Sequence, residues 1–495
     1  MHPVPVESSI LNPTPPRSLA LVLLPVFLLL CAFSCAVPLA PGYRILKESL
    51  EVRFVAGRPP ELQIRGRFRL ENIGSSDLAF VDANFPNERT FGRRDLHVEV
   101  DGREIVPVNL PAENQQEQPS NTLRIPLGPP WARKRSLELL IEYDLSSPED
   151  PGSGITLGEN GFHLGSRGWF AVLQPPKHVL SPFPQRPSVT PYAIRVPGDF
   201  LVLARGTPKG RKKDGSEIEY RFALGQDDLP PYAVAGRYVV SPSDRDSKSA
   251  AFWTLQPLKD DPGPAAERIA KVWSILVTDF GPLDKNIAAP HVVESPELRE
   301  HLPGDAGPAA AAFPGGVLLN PAALALGIDS DRFREIAVHA LAHNWFGDEM
   351  YPAVDAALGM GEGLPEYATI VVDETLNGPA ARRDRITEYL REYDGARAAA
   401  SEKPLGATLL TDPPGQRRIA VAKAALFFSA LEDTCGAGPM HSGLRSMVTL
   451  LRGQEASYDS LRSALQQSSG KDLGELFRIW LNEKGIPADF RDRYQ

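Results

Sequence analysis

A strict two-residue alternation over residues 62–71 constrains the first half of this chain more than any other feature. Leu62, Ile64, Gly66, Phe68 and Leu70 alternate with Gln63, Arg65, Arg67, Arg69 and Glu71. Successive side chains on a strand point to opposite faces, so this pattern demands a strand with one face in a core and one in water. Leu96 to Val100 repeats it and runs into Asp101-Gly102, a hairpin turn signal. Ser136 to Tyr143 and Glu217 to Ala223 read as further strands, with turn residues between them. From Tyr43 to Val240 the expectation is therefore an antiparallel β-sandwich or saddle-shaped sheet. The Pro- and Gly-rich stretch Ser146 to Pro191, centred on Gly168-Trp169-Phe170, reads as a long ordered loop lying against a second domain.

After a polar break at Ser241 to Ser249 the period changes. Helices are expected at Asp331 to Asp348, Arg382 to Tyr393, Ile419 to Thr434, Tyr458 to Gln467 and Leu473 to Lys484. Asp329, Ser330 and Asp331 supply N-cap types for the first of these. Gly436 stands where a helix C-terminus favours glycine. The fold class is α+β multidomain, with an N-terminal segment 1–41, a β domain 42–245 and a mainly helical domain 250–495. A chain of 495 residues is too long for one compact domain, in keeping with that division.

The segment before the β region has a separate meaning. Ser18 to Ala36 is an uncharged apolar run behind Arg17, the pattern of an export signal or a single membrane anchor. Ser34 and Ala36 suit a small-x-small cleavage site, and Cys35 offers a lipidation alternative. Every one of these readings places the rest of the chain outside the cytoplasm, and the anchored ones give it a membrane contact through the N-terminal segment. Cys31 and Cys35 lie inside that run, which leaves Cys435 without an intrachain partner. Stability then rests on core burial. The net charge is −9 with Lys and Arg dispersed, so no nucleic-acid partner is expected.

Chemistry concentrates in His339-Ala340-Leu341-Ala342-His343-Asn344-Trp345-Phe346-Gly347. Histidines at i and i+4 share one helix face, so both imidazoles can reach one ion at roughly 2 Å. Zinc in a catalytic-type site takes a third protein ligand, and Glu362 in Gly361-Glu362-Gly363-Leu364-Pro365-Glu366-Tyr367 is the candidate. Glu366, four residues on, supports the site. Taken alone, the histidine pair is weak, since paired histidines on a helix are often polar surface.

Taken with its flanks, this stretch resembles the membrane alanyl aminopeptidase family of zinc peptidases, in the gluzincin clan. Its pattern is HExxHxWFG, eighteen residues, then a glutamate, glycine and a later Glu-Tyr. Eighteen residues separate His343 from Glu362 here. Phe477, Trp480, Gly485 and Pro487 resemble the family's late helix and turn, and the N-terminal β region resembles its β domain. The resemblance implies a thermolysin-like helical domain, zinc on His339, His343 and Glu362, and a peptide ligand.

Four departures stand out. The general-base glutamate of HExxH, which polarises zinc-bound water and shuttles its proton, is replaced by Ala340. Val421 occupies the position, two before Lys423, where the family places an oxyanion-stabilising tyrosine. Ala310 to Gly315 matches the amine-gripping exopeptidase signature without its glutamate. Ala357 stands where an acidic residue often orients a ligand histidine, although Asp355 is close enough to substitute. With the apolar N-terminal run, the degenerate HAxxH pattern leads to the expectation of an extracytoplasmic, membrane-tethered zinc-binding pseudopeptidase with possible peptide binding. Two alternatives stand beside it: a zinc hydrolase using a different base or an easier substrate, with Glu335 reading rather as a solvated charge near the helix N-terminus, and an envelope interaction protein whose β domain does the work.

Overall fold

The computed structural model describes residues 42–86, 92–109, 121–146, 155–165, 168–174, 187–226, 228–241, 249–283, 289–296 and 310–494. The apolar run at 18–36 and most of the polar break at 241–249 lie outside the described residues. Among the described residues no helix is long and apolar enough to cross a membrane.

The N-terminal region is built on an eight-stranded sheet. Its spatial order is Thr207–Asp214, Glu217–Gly225, Val189–Pro197, Tyr43–Val55, Glu61–Asn72, Ser136–Leu145, Arg93–Val100 and Arg103–Glu104. The alternation at 62–71 appears as expected: Leu62, Ile64, Phe68 and Leu70 are buried and the arginines are exposed. On the wet face those arginines meet carboxylates of neighbouring strands, among them Arg69–Glu138 at 3.5 Å and Arg65–Glu51 at 3.8 Å. Exposed pairs of this kind contribute about 0–1 kcal/mol each, so burial of the opposite face holds the sheet. Asp101-Gly102 makes the expected hairpin with both residues at positive φ. One pairing departs from the antiparallel expectation, because Tyr43–Val55 runs parallel to Val189–Pro197.

Two four-stranded sheets complete this region, and Phe54 of the large sheet packs on Phe162 of the sheet containing Gly161–Leu164 and on Phe200, with centroids 5.1–6.0 Å apart. The stretch 146–191 is not one long loop. It contributes strands Ile155–Gly158, Gly161–Leu164 and Val172–Gln174. Trp169 and Phe170 do not lie against the second domain but sit in the β core, where Tyr143 donates to the Trp169 carbonyl at 2.8 Å. An aromatic pair this large gains more by filling the region's own core than by capping a neighbour.

The C-terminal region begins with a five-stranded sheet that ends in the hairpin Ala310–Phe313 and Gly316–Leu319. Helix α1 (Gly263–Phe280) and helix α2 (Asp331–Ala342) pack on it, followed by α3 (Gly363–Asn377), α4 (Pro379–Ala399), α5 (Pro414–Cys435) and α6 (Ala437–Leu450). Gly436 terminates α5 at φ 87°, as its position in the sequence suggests. Lys423 of α5 is buried against Glu402 at 3.3 Å and donates to the Glu483 carbonyl at 2.5 Å, tying the helix to the C-terminal tail.

Candidate metal centre

Helix α2 starts at Ser330, whose hydroxyl accepts from the Phe333 amide at 3.1 Å. Its end differs from the expected Asp348. The helix stops at Ala342, and His343 is the C-cap residue. The cause is the Asn344 side chain, which leaves the helix direction to accept from Gly315 N–H at 2.7 Å and donate to the Gly316 carbonyl at 3.1 Å. This clamps the helix end to the 310–319 hairpin. Trp345 and Phe346 are then turned inward. Trp345 donates to the Gly281 carbonyl at 2.8 Å and packs on Trp273, while Phe346 meets Phe280 edge-on. The Trp-Phe signature is thus an anchor that fixes where the two histidines stand.

His343 keeps αR geometry at the cap (φ −61°, ψ −17°), so its imidazole still follows that of His339. Their Nε2 atoms are 3.1 Å apart. Glu362 enters from the start of α3, with Oε2 at 3.4 Å from His339 Nε2 and 3.7 Å from His343 Nε2. Glycines on either side allow that approach. A Cβ on Gly361 would stand 2.2 Å from the Ala357 carbonyl oxygen, and one on Gly363 would stand 2.4 Å from the Ala424 methyl.

These donors fit zinc. Zn–N and Zn–O bonds near 2.0–2.1 Å in a tetrahedron separate ligand atoms by about 3.3 Å, and the three observed spacings bracket that value. Two imidazoles and one carboxylate are also the catalytic-type donor set, which leaves one position open. Among the described residues no fourth His, Cys, Asp or Glu donor joins them.

Glu366 lies behind the ligands. Its Oε1 accepts from His339 Nδ1 at 3.1 Å, which presents Nε2 toward the metal position. Burial works against a charge on His339, but Glu366 and Glu362 beside it outweigh that and raise its pKa to about 10. Burial likewise opposes ionisation of Glu362 and Glu366, yet the imidazoles hold both carboxyls below their ordinary range.

A pH dependence follows with a definite sign. Without metal, His339 holds a proton at neutral pH that zinc must displace, because only neutral imidazole ligates. Zinc binding at pH 7–8 is therefore expected to release about one proton. Affinity should rise with pH, levelling off near pH 10. Calorimetric zinc titrations in buffers of differing ionisation heat measure this, and absence of proton release between pH 6.5 and 9 would contradict it.

Asp355 does not join the site. It is exposed on the 3-10 turn Val354–Ala356 and makes no hydrogen bond or ion pair with either imidazole; its charge acts instead on the half-buried Tyr458. Glu335 is engaged elsewhere, by Arg385 at 2.6 Å and Arg332 at 3.0 Å. Ala340 is buried in the domain core, and Val421 is half-buried against that core. Tyr389 of α4, which donates to Glu366 Oε2, was not foreseen, since no motif marks a tyrosine on a separate helix.

Residues 312–480 match the peptidase family M1 domain. No curated protein matches the chain in sequence. Among solved structures, a glutamate-to-alanine mutant of an M1 zinc metallopeptidase from Deinococcus radiodurans, bound to a Tyr-Ser-Ala substrate, is similar. It has a TM-score of 0.62 and 17% identity, over 90% of this chain and 95% of that one. Native LTA4 hydrolase from Saccharomyces cerevisiae matches with a TM-score of 0.62 and 14% identity, over 90% of this chain and 69% of that one. Legionella pneumophila aminopeptidase A in complex with aspartic acid matches with a TM-score of 0.60 and 18% identity, over 90% of this chain and 50% of that one. Residues 312–480 thus form a peptidase family M1 domain, and the chain as a whole shares the two-region fold of M1 zinc metallopeptidases.

Proposed function

We propose that this protein is an exported, membrane-tethered zinc protein that holds peptides in its cleft and is impaired in hydrolysing them. One observation carries the reading: Ala340 stands between the two histidine ligands, where the water-activating carboxylate belongs. Zinc, when bound, lowers the pKa of its water and polarises a carbonyl. Moving the proton to the leaving amine still requires a general base, which is worth roughly 10²–10⁴-fold in rate. Neither nearby carboxylate is available for that task. Glu335 is tied to two arginines, and Glu366 is bonded to His339 and Tyr389. Val421 offers no phenol to an oxyanion. An M1 relative carrying a glutamate-to-alanine change holds a Tyr-Ser-Ala substrate, which supports peptide binding by a member of this fold that has lost a carboxylate.

The tether rests on Ser18 to Ala36. Export is tested by fractionating cells that express the full chain. Recovery in the membrane fraction, with protease access from outside the cytoplasm, is the expected result. Peptide binding is tested by calorimetric titration of the zinc-loaded protein with short free-amine peptides. Saturable binding with intact peptide recovered afterwards supports the reading. Absence of binding removes the peptide half of it.

A further inference from the structure

We infer that Tyr389 is a positioning residue for zinc, fixing the Glu366 carboxylate that in turn orients His339. The inference rests on the reading of His339 as a zinc ligand. Three helices meet here: His339 comes from α2, Glu366 and Thr369 from α3, and Tyr389 from α4. The Tyr389 ring is 6% exposed. Its hydroxyl has one proton and three acceptors in reach, namely Glu366 Oε2, Thr369 Oγ1 at 3.1 Å and the Glu366 main-chain oxygen at 3.5 Å. An ionised carboxylate accepts only and is the strongest acceptor of the three, so it takes the proton. Thr369 spends its own proton on the Glu366 carbonyl at 2.7 Å.

Both carboxylate oxygens are thereby committed, Oε1 to His339 Nδ1 and Oε2 to Tyr389. A carboxylate gripped at both oxygens cannot swing about its last bond. The imidazole it holds then keeps Nε2 aimed at the shared point with His343 and Glu362. Removing the phenol oxygen frees one side of Glu366 and lets the ligand imidazole wander. Outer-shell losses of this sort typically weaken metal binding 10–100-fold.

The test uses the full chain and a chromophoric chelator competing for zinc, with the cobalt(II) absorption spectrum as a second readout. Tyr389→Phe, which keeps the ring and its packing, is expected to weaken zinc binding about 10-fold, and Glu366→Ala about 100-fold. Because Tyr389 acts through Glu366, the double variant should bind zinc no more weakly than Glu366→Ala alone. Cobalt spectra of the two single variants should shift in the same direction. A parent that binds no zinc overturns both this inference and the reading beneath it. A parent that binds zinc, with Tyr389→Phe unchanged or its loss multiplying with that of Glu366→Ala, overturns this inference alone.

Discussion

His343→Ala is expected to reduce bound zinc from about one ion per chain to a small fraction of that, a larger loss than the 10–100-fold of an outer-shell change. The imidazole it removes has its Nε2 at 3.1 Å from that of His339 and 3.7 Å from Glu362. Only one imidazole and one carboxylate would remain, short of the three protein ligands of a catalytic-type site. The fold should survive, because the anchors of this turn are Asn344, Trp345 and Phe346 rather than the imidazole. Ligand linkage makes the effect visible in melting. At 100 times its dissociation constant, zinc stabilises the parent by about 2.7 kcal/mol. In the variant, added zinc should leave the melting temperature unmoved. Elemental analysis of purified protein and melting curves with and without zinc measure both. A variant that retains the parent's zinc would contradict the ligand assignment.

Asp348→Ala is expected to destabilise the protein by about 3–5 kcal/mol, the usual cost of leaving one member of a buried ion pair alone. Arg205 belongs to the N-terminal β region and Asp348 to the turn that follows His343. Their side chains are 6% and 10% exposed and meet at 2.7 Å. Arg205 also donates to the Pro230 carbonyl at 3.0 Å and lies over the Tyr232 ring. Alanine at 348 leaves the buried guanidinium without its carboxylate partner, held only by the Pro230 carbonyl, the Tyr232 ring and the field of Glu349. Pairing Asp348→Leu with Arg205→Met removes both charges and should recover most of the loss. Denaturant unfolding, followed separately by β-sheet and tryptophan signals, reads the difference. Loss below about 1 kcal/mol, the range of an exposed pair, would show that this contact does not join the two regions as described.

The parts of this molecule that sequence made legible share one property: their physics is local. Alternation at 62–71 requires only that one face be buried, and it was. The spacing of His339, His343 and Glu362 needs one helix and one turn of a second, and the three donors converge. Elsewhere distant chain decided the outcome. Asn344 ends the metal helix at Ala342 because it finds Gly315 and Gly316, whose position no local pattern gives. Trp169 and Phe170 enter the β core because strands far away in sequence leave room for them. Glu366 takes the role open to Asp355 because a ligand-bearing helix aims it at Nδ1, whereas Asp355 sits on a turn facing water. Tyr389 and Arg205 reach their partners across tertiary contacts, so no motif marked them.

A complete zinc site without its base should hold peptides and leave them uncut. One measurement addresses it most directly: mass-spectrometric detection of cleavage products when zinc-loaded protein is incubated with free-amine peptides, with zinc per chain determined on the same sample. The expected result is about one zinc per chain and no product beyond the buffer control. Zinc-dependent cleavage that disappears in His343→Ala would contradict it.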